Sequence, residues 1–274
     1  MKNLLRTVFS LGVLLILGAG FVADMGVAAA ADAPPPPRTN TLRIAAAADL
    51  KFALDEVLKD FRAKHPDAQV EVTYGASGNF LAQLSQGAPF DVFLSADMSY
   101  PRKLVEQGLV AADGVFPYAV GHLVLWVPRD SPLSVEKLGM KTLLEPGVRH
   151  IAIANPQHAP YGRAAEAALK SQGLHDAVKD KLVLGENVAQ TAQFAQSGAA
   201  DVGIIALSLA LAPAMKAQGR YWEVPTSAYP RMEQGGAILQ KAKDPELARR
   251  FRDALLGPQS RPLLERYGFT APGK

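Results

Sequence analysis

Four times along this chain a short apolar run ends in a turn of small and polar residues that opens directly into a helix-favouring stretch. The fullest case is residues 151–169, IAIANPQHAPYGRAAEAAL. Residues 151–154 read as a buried parallel strand. Asn155, Pro156 and the Ala159-Pro160-Tyr161-Gly162 turn end it, and the Ala-rich run that follows favours helix. Such a junction sets free backbone N–H groups, and the positive end of a helix dipole, at the C-terminal end of a strand. That is a ready anion site. Similar turns stand at Ala47-Ala48-Asp49-Leu50, at Gly75-Ala76-Ser77-Gly78-Asn79 and at Gly185-Glu186-Asn187-Val188.

Between these turns the pattern alternates strand and helix. Strands are predicted over residues 42–46, 70–74, 90–94, 123–127, 151–154, 182–184, 201–206, 221–224 and 237–239. Leu50, Ala53, Leu54, Val57, Leu58 and Phe61 mark one face of a helix running to about Lys64. Further helices are expected near 80–86, up to Gln107, over 135–144 and 162–173, up to Gln196, and over 245–256 and 260–266. The expected fold is α/β, with parallel, doubly wound sheets in two similar lobes. The turns at 47–50 and 77–79 belong to one lobe, those at 160–162 and 187–188 to the other, with a ligand cleft between them.

The chemistry-bearing residues exclude more than they offer. The chain has 274 residues and no cysteine, so disulfides, a lipid-anchor cysteine and thiolate metal sites are all excluded. His65, His122, His150, His158 and His175 show no metal-ligand spacing, so no metal held by side chains is expected. His158 reads as a surface loop residue. No nucleophile elbow, phosphate-binding P-loop or dinucleotide fingerprint occurs. Ser77 is tied to no particular base, so a secreted serine hydrolase is the weaker alternative, and no enzyme is expected. Asp49 and Glu186 stand at helix starts, where capping accounts for both. A net charge of +3 without a basic block gives no footprint for nucleic acid.

The N-terminus reads as an address. Lys2 and Arg6 precede an apolar run over 8–22 and a small-residue stretch ending near Ala31. Residues 1–31 are therefore expected to be a secretory signal peptide, and 32–40 a Pro-rich spacer. The mature protein is expected to be soluble and exported.

At these residues the chain resembles the periplasmic molybdate/tungstate-binding proteins of ABC importers, within the type II periplasmic-binding-protein fold. The resemblance rests on AAAADLKFALDEVLKDF, YGASGNFLAQLSQGAPFDVFLSAD, IAIANPQHAPYGRAAEAAL, GENVAQTAQFAQSGAADVGIIALS and LLERYGF, which run in order across almost all of the mature chain. It implies a discontinuous lobe 1 over 41–120 and 228–274, and lobe 2 over 121–227. It implies a periplasmic monomer with no cofactor that binds molybdate or tungstate and passes it to an ABC-importer permease. Another tetrahedral oxyanion such as phosphate is the alternative cargo. Carried onto this chain, the ligand turns fall at Ala48 and Asp49, at Ser77 and Gly78, at Tyr161, and at Val188. Ser77 and Tyr161 offer hydroxyls; Gly78, Tyr161 and Val188 offer backbone N–H groups. Asp49 departs from the family, which has Ser or Asn there. Either it caps the helix with its side chain turned aside, or its carboxylate accepts a hydrogen bond from a protonated ligand such as hydrogen phosphate.

Overall fold

The computed structural model describes residues 40–273. The expected signal peptide and the spacer up to residue 39 lie outside the described residues.

Among the described residues, ten strands form two five-stranded sheets. They are β1 (Thr41–Ala47), β2 (Gln69–Gly75), β3 (Val92–Ser95), β4 (Val110–Gly121), β5 (Leu123–Pro128), β6 (Ile151–Ala154), β7 (Leu182–Gly185), β8 (Val202–Ala206), β9 (Gly219–Glu223) and β10 (Met232–Leu239). The first sheet runs β2-β1-β3-β10-β4 and the second β7-β6-β8-β5-β9. The chain leaves the first sheet at His122 and returns to it over residues 224–231.

The two sheets share one topology, and it corrects the all-parallel expectation. In the first, β1 is parallel to β2 and β3, while β10 runs antiparallel to both β3 and β4. In the second, β6 is parallel to β7 and β8, while β5 runs antiparallel to both β8 and β9. The α/β class holds, with each sheet mixed. Helices cover the sheets, and the fully buried strands β3, β6 and β8 supply the apolar runs seen in the sequence.

Residues 110–121 were not expected to form a strand. The segment carries Asp113, Gly114 and Pro117 and lacks a strand's alternation. It becomes β4 because β10 pairs with it, and its place at the sheet edge tolerates a proline. Residues 135–144 form one α-turn, Val135–Leu138, and then a 3-10 turn, Gly139–Leu144, rather than one helix.

Register sets the turns side by side. Ala47 is level with Gly75 at the ends of β1 and β2, so the chain enters both turns of the first lobe at one height. Ala154 and Gly185 are level at the ends of β6 and β7 in the second. Ala47, Ala48, Ala76 and Ala96 from the first lobe pack into the apolar cluster built on the second. Four methyl-sized side chains let the lobes approach closely along this seam.

Candidate functional site

After β1 the chain takes a single 3-10 turn, Ala48–Leu50, before the Lys51–Lys64 helix begins. No side chain caps either start, which corrects the capping role expected of Asp49. Its side chain is buried, at 1% exposure. Oδ2 accepts from Gln234 Nε2 at 2.5 Å, and Oδ1 has no hydrogen-bond partner of good geometry. After β2, Ala76 is the N-cap of the Ser77–Ser85 helix and contributes no side-chain bond. The first amides of that helix therefore have no internal acceptor. Ser77 is buried, and its Oγ accepts from the Ala96 amide at 3.0 Å. That leaves its hydroxyl proton to donate elsewhere.

The second lobe presents matching starts. Pro160 takes the first position of the Pro160–Ser171 helix, where its missing N–H costs nothing. The Tyr161 amide is thus the first that this helix can offer outward. Asn187 caps the Val188–Gln196 helix, its Oδ1 accepting from Ala189 and Gln190, both at 3.0 Å. The cap satisfies the second and third amides and leaves Val188's uncapped. Glu186 is exposed and caps nothing, a second correction; its own amide donates to Gln190 Oε1 at 2.7 Å.

Ala48, Asp49, Ser77, Tyr161 and Val188 meet on the wall of one pocket of about 10 Å³ between the lobes. Gly78 is not on that wall. Its amide donates across the cleft to the His158 carbonyl at 2.8 Å, so the structure gives it a lobe-to-lobe partner in place of the expected ligand contact. His158 itself is half-buried rather than a plain surface residue. Its Nε2 lies 3.0 Å from the Glu186 carbonyl, which ties the 155–160 turn to the 185–188 turn. Among the described residues no cluster of three or more His, Asp or Glu could hold a metal ion.

The pocket contains one ionisable carboxyl, and its surroundings disfavour the charge. Burial raises Asp49 from 3.8 to about 6, against the lowering pull of Gln234, Tyr161 and the backbone amides of residues 49 and 50. No cation is among the groups that set its ionisation. Burial first, and then the Asp49 charge, hold the Tyr161 and Tyr118 hydroxyls well above the ordinary tyrosine range, so both stay protonated donors.

Further contacts cross the cleft. Arg163, from the Pro160–Ser171 helix, donates to Asp97 Oδ2 and to the Tyr100 hydroxyl, each at 2.7 Å, and its guanidinium lies 5.3 Å from the Tyr100 ring centroid. The Ser208 hydroxyl donates to the Asp49 carbonyl at 2.7 Å. Sequence reasoning missed Arg163, Ser208 and Gln234. A trace of Gln234 exists in hindsight: a Gln-Gly-Gly step inside a buried strand. The register shift between Gln234 and Gly235 is the kind of bulge that re-aims a side chain next to a site.

A family model described as bacterial extracellular solute-binding protein matches residues 42–270. The molybdate-binding protein ModA of Azotobacter vinelandii is 37% identical over 262 residues, covering 95% of this chain and 98% of that protein. The ModA of Rhodobacter capsulatus is 38% identical over 201 residues, covering 73% and 77%. Among solved structures, the periplasmic molybdate-binding protein of Azotobacter vinelandii superposes with a TM-score of 0.79 at 33% identity, covering 84% of this chain and 99% of that one.

Proposed function

The chain belongs to the bacterial extracellular solute-binding proteins, and from that premise we propose a periplasmic receptor that captures molybdate or tungstate and delivers it to an ABC-importer permease. The observation that carries the reading is the meeting of all four strand-end turns at one small pocket. Uncapped amides at Ser77, Tyr161 and Val188, with the Ser77 and Tyr161 hydroxyls, suit a compact tetrahedral anion. Lobe closure over the anion strips its water and strengthens each bond to it. Ser77 acts here as a donor to the ligand: its Oγ is held by the Ala96 amide, and among the described residues no histidine or carboxylate hydrogen-bonds it. A monomer exported by its N-terminal signal, with lobes joined at His122 and over 224–231, completes the proposal.

Calorimetry with molybdate, tungstate, sulfate and phosphate at neutral pH tests it. Tight stoichiometric binding of molybdate or tungstate, without turnover, is expected. Tight phosphate binding with no response to the other two would sink the assignment.

Two variants sharpen the site. Tyr161→Phe removes one buried donor and is expected to weaken molybdate binding about tenfold, the usual cost of one buried hydrogen bond; unchanged affinity takes the hydroxyl out of the site. Arg163→Gln loosens the closed form without touching the pocket. The Arg163–Asp97 pair is more than a third exposed on the arginine side, so the expected loss is modest, about fivefold. It should appear in the dissociation rate; a change confined to association would contradict the assignment of Arg163 to closure.

A further inference from the structure

Asp49 sets this pocket a problem that its other groups do not solve. A dianion held by neutral donors needs no counter-charge, but an ionised carboxylate on the same wall repels it and offers only acceptors. The carboxyl group is 1% exposed and lines the pocket, and Oδ1 lacks a partner of good geometry. Oδ2 is engaged by Gln234 Nε2, which holds the group in place and leaves Oδ1 as the oxygen able to carry a proton.

The groups that face Asp49 do not neutralise it. Tyr161 on the Pro160–Ser171 helix and Tyr118 on β4 are neutral hydroxyls whose ionisation the carboxylate itself opposes. Gln234 on β10 is an amide. The helices Val188–Gln196 and Leu207–Ala210, packed against the Ala48–Leu50 turn, carry no titratable side chain. On the Lys51–Lys64 helix the nearest cation, Lys51, lies over the Tyr74 ring, 5.0 Å from its centroid. A proton is the remaining means of removing the charge.

We infer that Asp49 binds the oxyanion in its protonated form, so that capture of each anion takes up one proton from solvent and Asp49 Oδ1–H donates to an anion oxygen. The proton leaves the buffer acid and bonds to the carboxylate; nothing else changes hands. The inference rests on the proposed oxyanion ligand. It turns an apparent defect of the pocket into an additional donor, and it makes capture stronger as the medium becomes more acidic. The raised pKa of Asp49 before binding agrees with this, because part of the cost of protonation is already met by burial.

The test is calorimetry with sodium molybdate on the full chain at pH 7.5, in Tris and in HEPES, whose ionisation heats differ. Molybdate itself stays a dianion there, so proton uptake reports the protein. The wild-type chain is expected to take up close to one proton per anion, and its affinity should fall about tenfold per pH unit between pH 7 and 8.5. Asp49→Asn, of the same shape and always neutral, should take up none, show a flat pH profile, and bind at least as tightly at pH 8.5. Asp49→Ser, tested alongside, should also lose the pH dependence. Wild-type binding without proton uptake, or equal uptake by Asp49→Asn, overturns the inference and leaves the ligand assignment standing. No binding of molybdate or tungstate by either protein, checked also by equilibrium dialysis, overturns the ligand assignment and this inference with it.

Discussion

Gly78→Val is expected to lower molybdate affinity by about a hundredfold or more while leaving each lobe folded. A Cβ at Gly78 would stand 2.7 Å from the His158 carbonyl oxygen and 2.9 Å from its Cα. Those are backbone atoms of the opposite lobe, and they cannot swing aside. The side chain would therefore hold the lobes apart, and the 2.8 Å bond from the Gly78 amide to His158 would be lost with the approach. Losing a buried hydrogen bond and the shielding that closure gives the ligand costs about 3 kcal/mol, which is the hundredfold. Gly78 lies inside a helix, where valine is no worse than glycine, so the unliganded protein should melt within a degree or two of wild type. Calorimetry and thermal melts of the same samples separate the two effects. Retained affinity would mean that the lobes need not come this close.

Asp49→Asn is expected to stabilise the unliganded protein by about 3 kcal/mol at pH 7.5, from a shift of about two pH units at about 1.4 kcal/mol each. The sign follows from proton binding. The folded carboxyl ionises near 6 and the unfolded one near 3.8, so between these values the folded state holds more protons. The Asp49 contribution to wild-type stability is therefore fully present below pH 4, is lost as pH rises through about 6, and is absent above. Asparagine does not titrate, so the variant's advantage should appear over that window and vanish below it. Urea melts at pH 4 and pH 7.5 measure the difference directly. Equal stability at both pH values would show that the carboxylate is better solvated than its burial implies.

Most of the local structure could be read from the chain because its signals are short-ranged. The apolar runs, the turn residues and the helix face at Leu50, Ala53, Leu54, Val57, Leu58 and Phe61 each lie within one element. The four turns were visible for the same reason, whereas Ala48, Asp49, Ser77, Tyr161 and Val188 were singled out within them by the family resemblance. What escaped depends on partners far along the chain. β4 is a strand through β10, and the antiparallel direction of β5 and β10 is set by where the chain crosses between sheets. Gln234 meets Asp49 across 185 residues, and Arg163 meets Asp97 across 66. Asp49 was misread as a cap because an acidic residue before a helix is a strong local signal. The structure turns it inward, where a partner from the far end of the chain holds it.

The contacts that draw the lobes together here are made between protein atoms: the Gly78 amide on His158, and the Arg163 fork on Asp97 and Tyr100. Their contribution to closure is the same whichever solute arrives. A receptor whose closed form tells a transporter that cargo is present must therefore balance signal against noise. A firmer clasp lowers the concentration at which the scarce anion is caught, because a larger fraction of molecules is competent to hold it. The same clasp raises the number of molecules that report cargo without carrying any. Partial exposure of the Arg163–Asp97 pair keeps that clasp weak, and so leaves the anion itself to supply most of the difference between a true report and a false one.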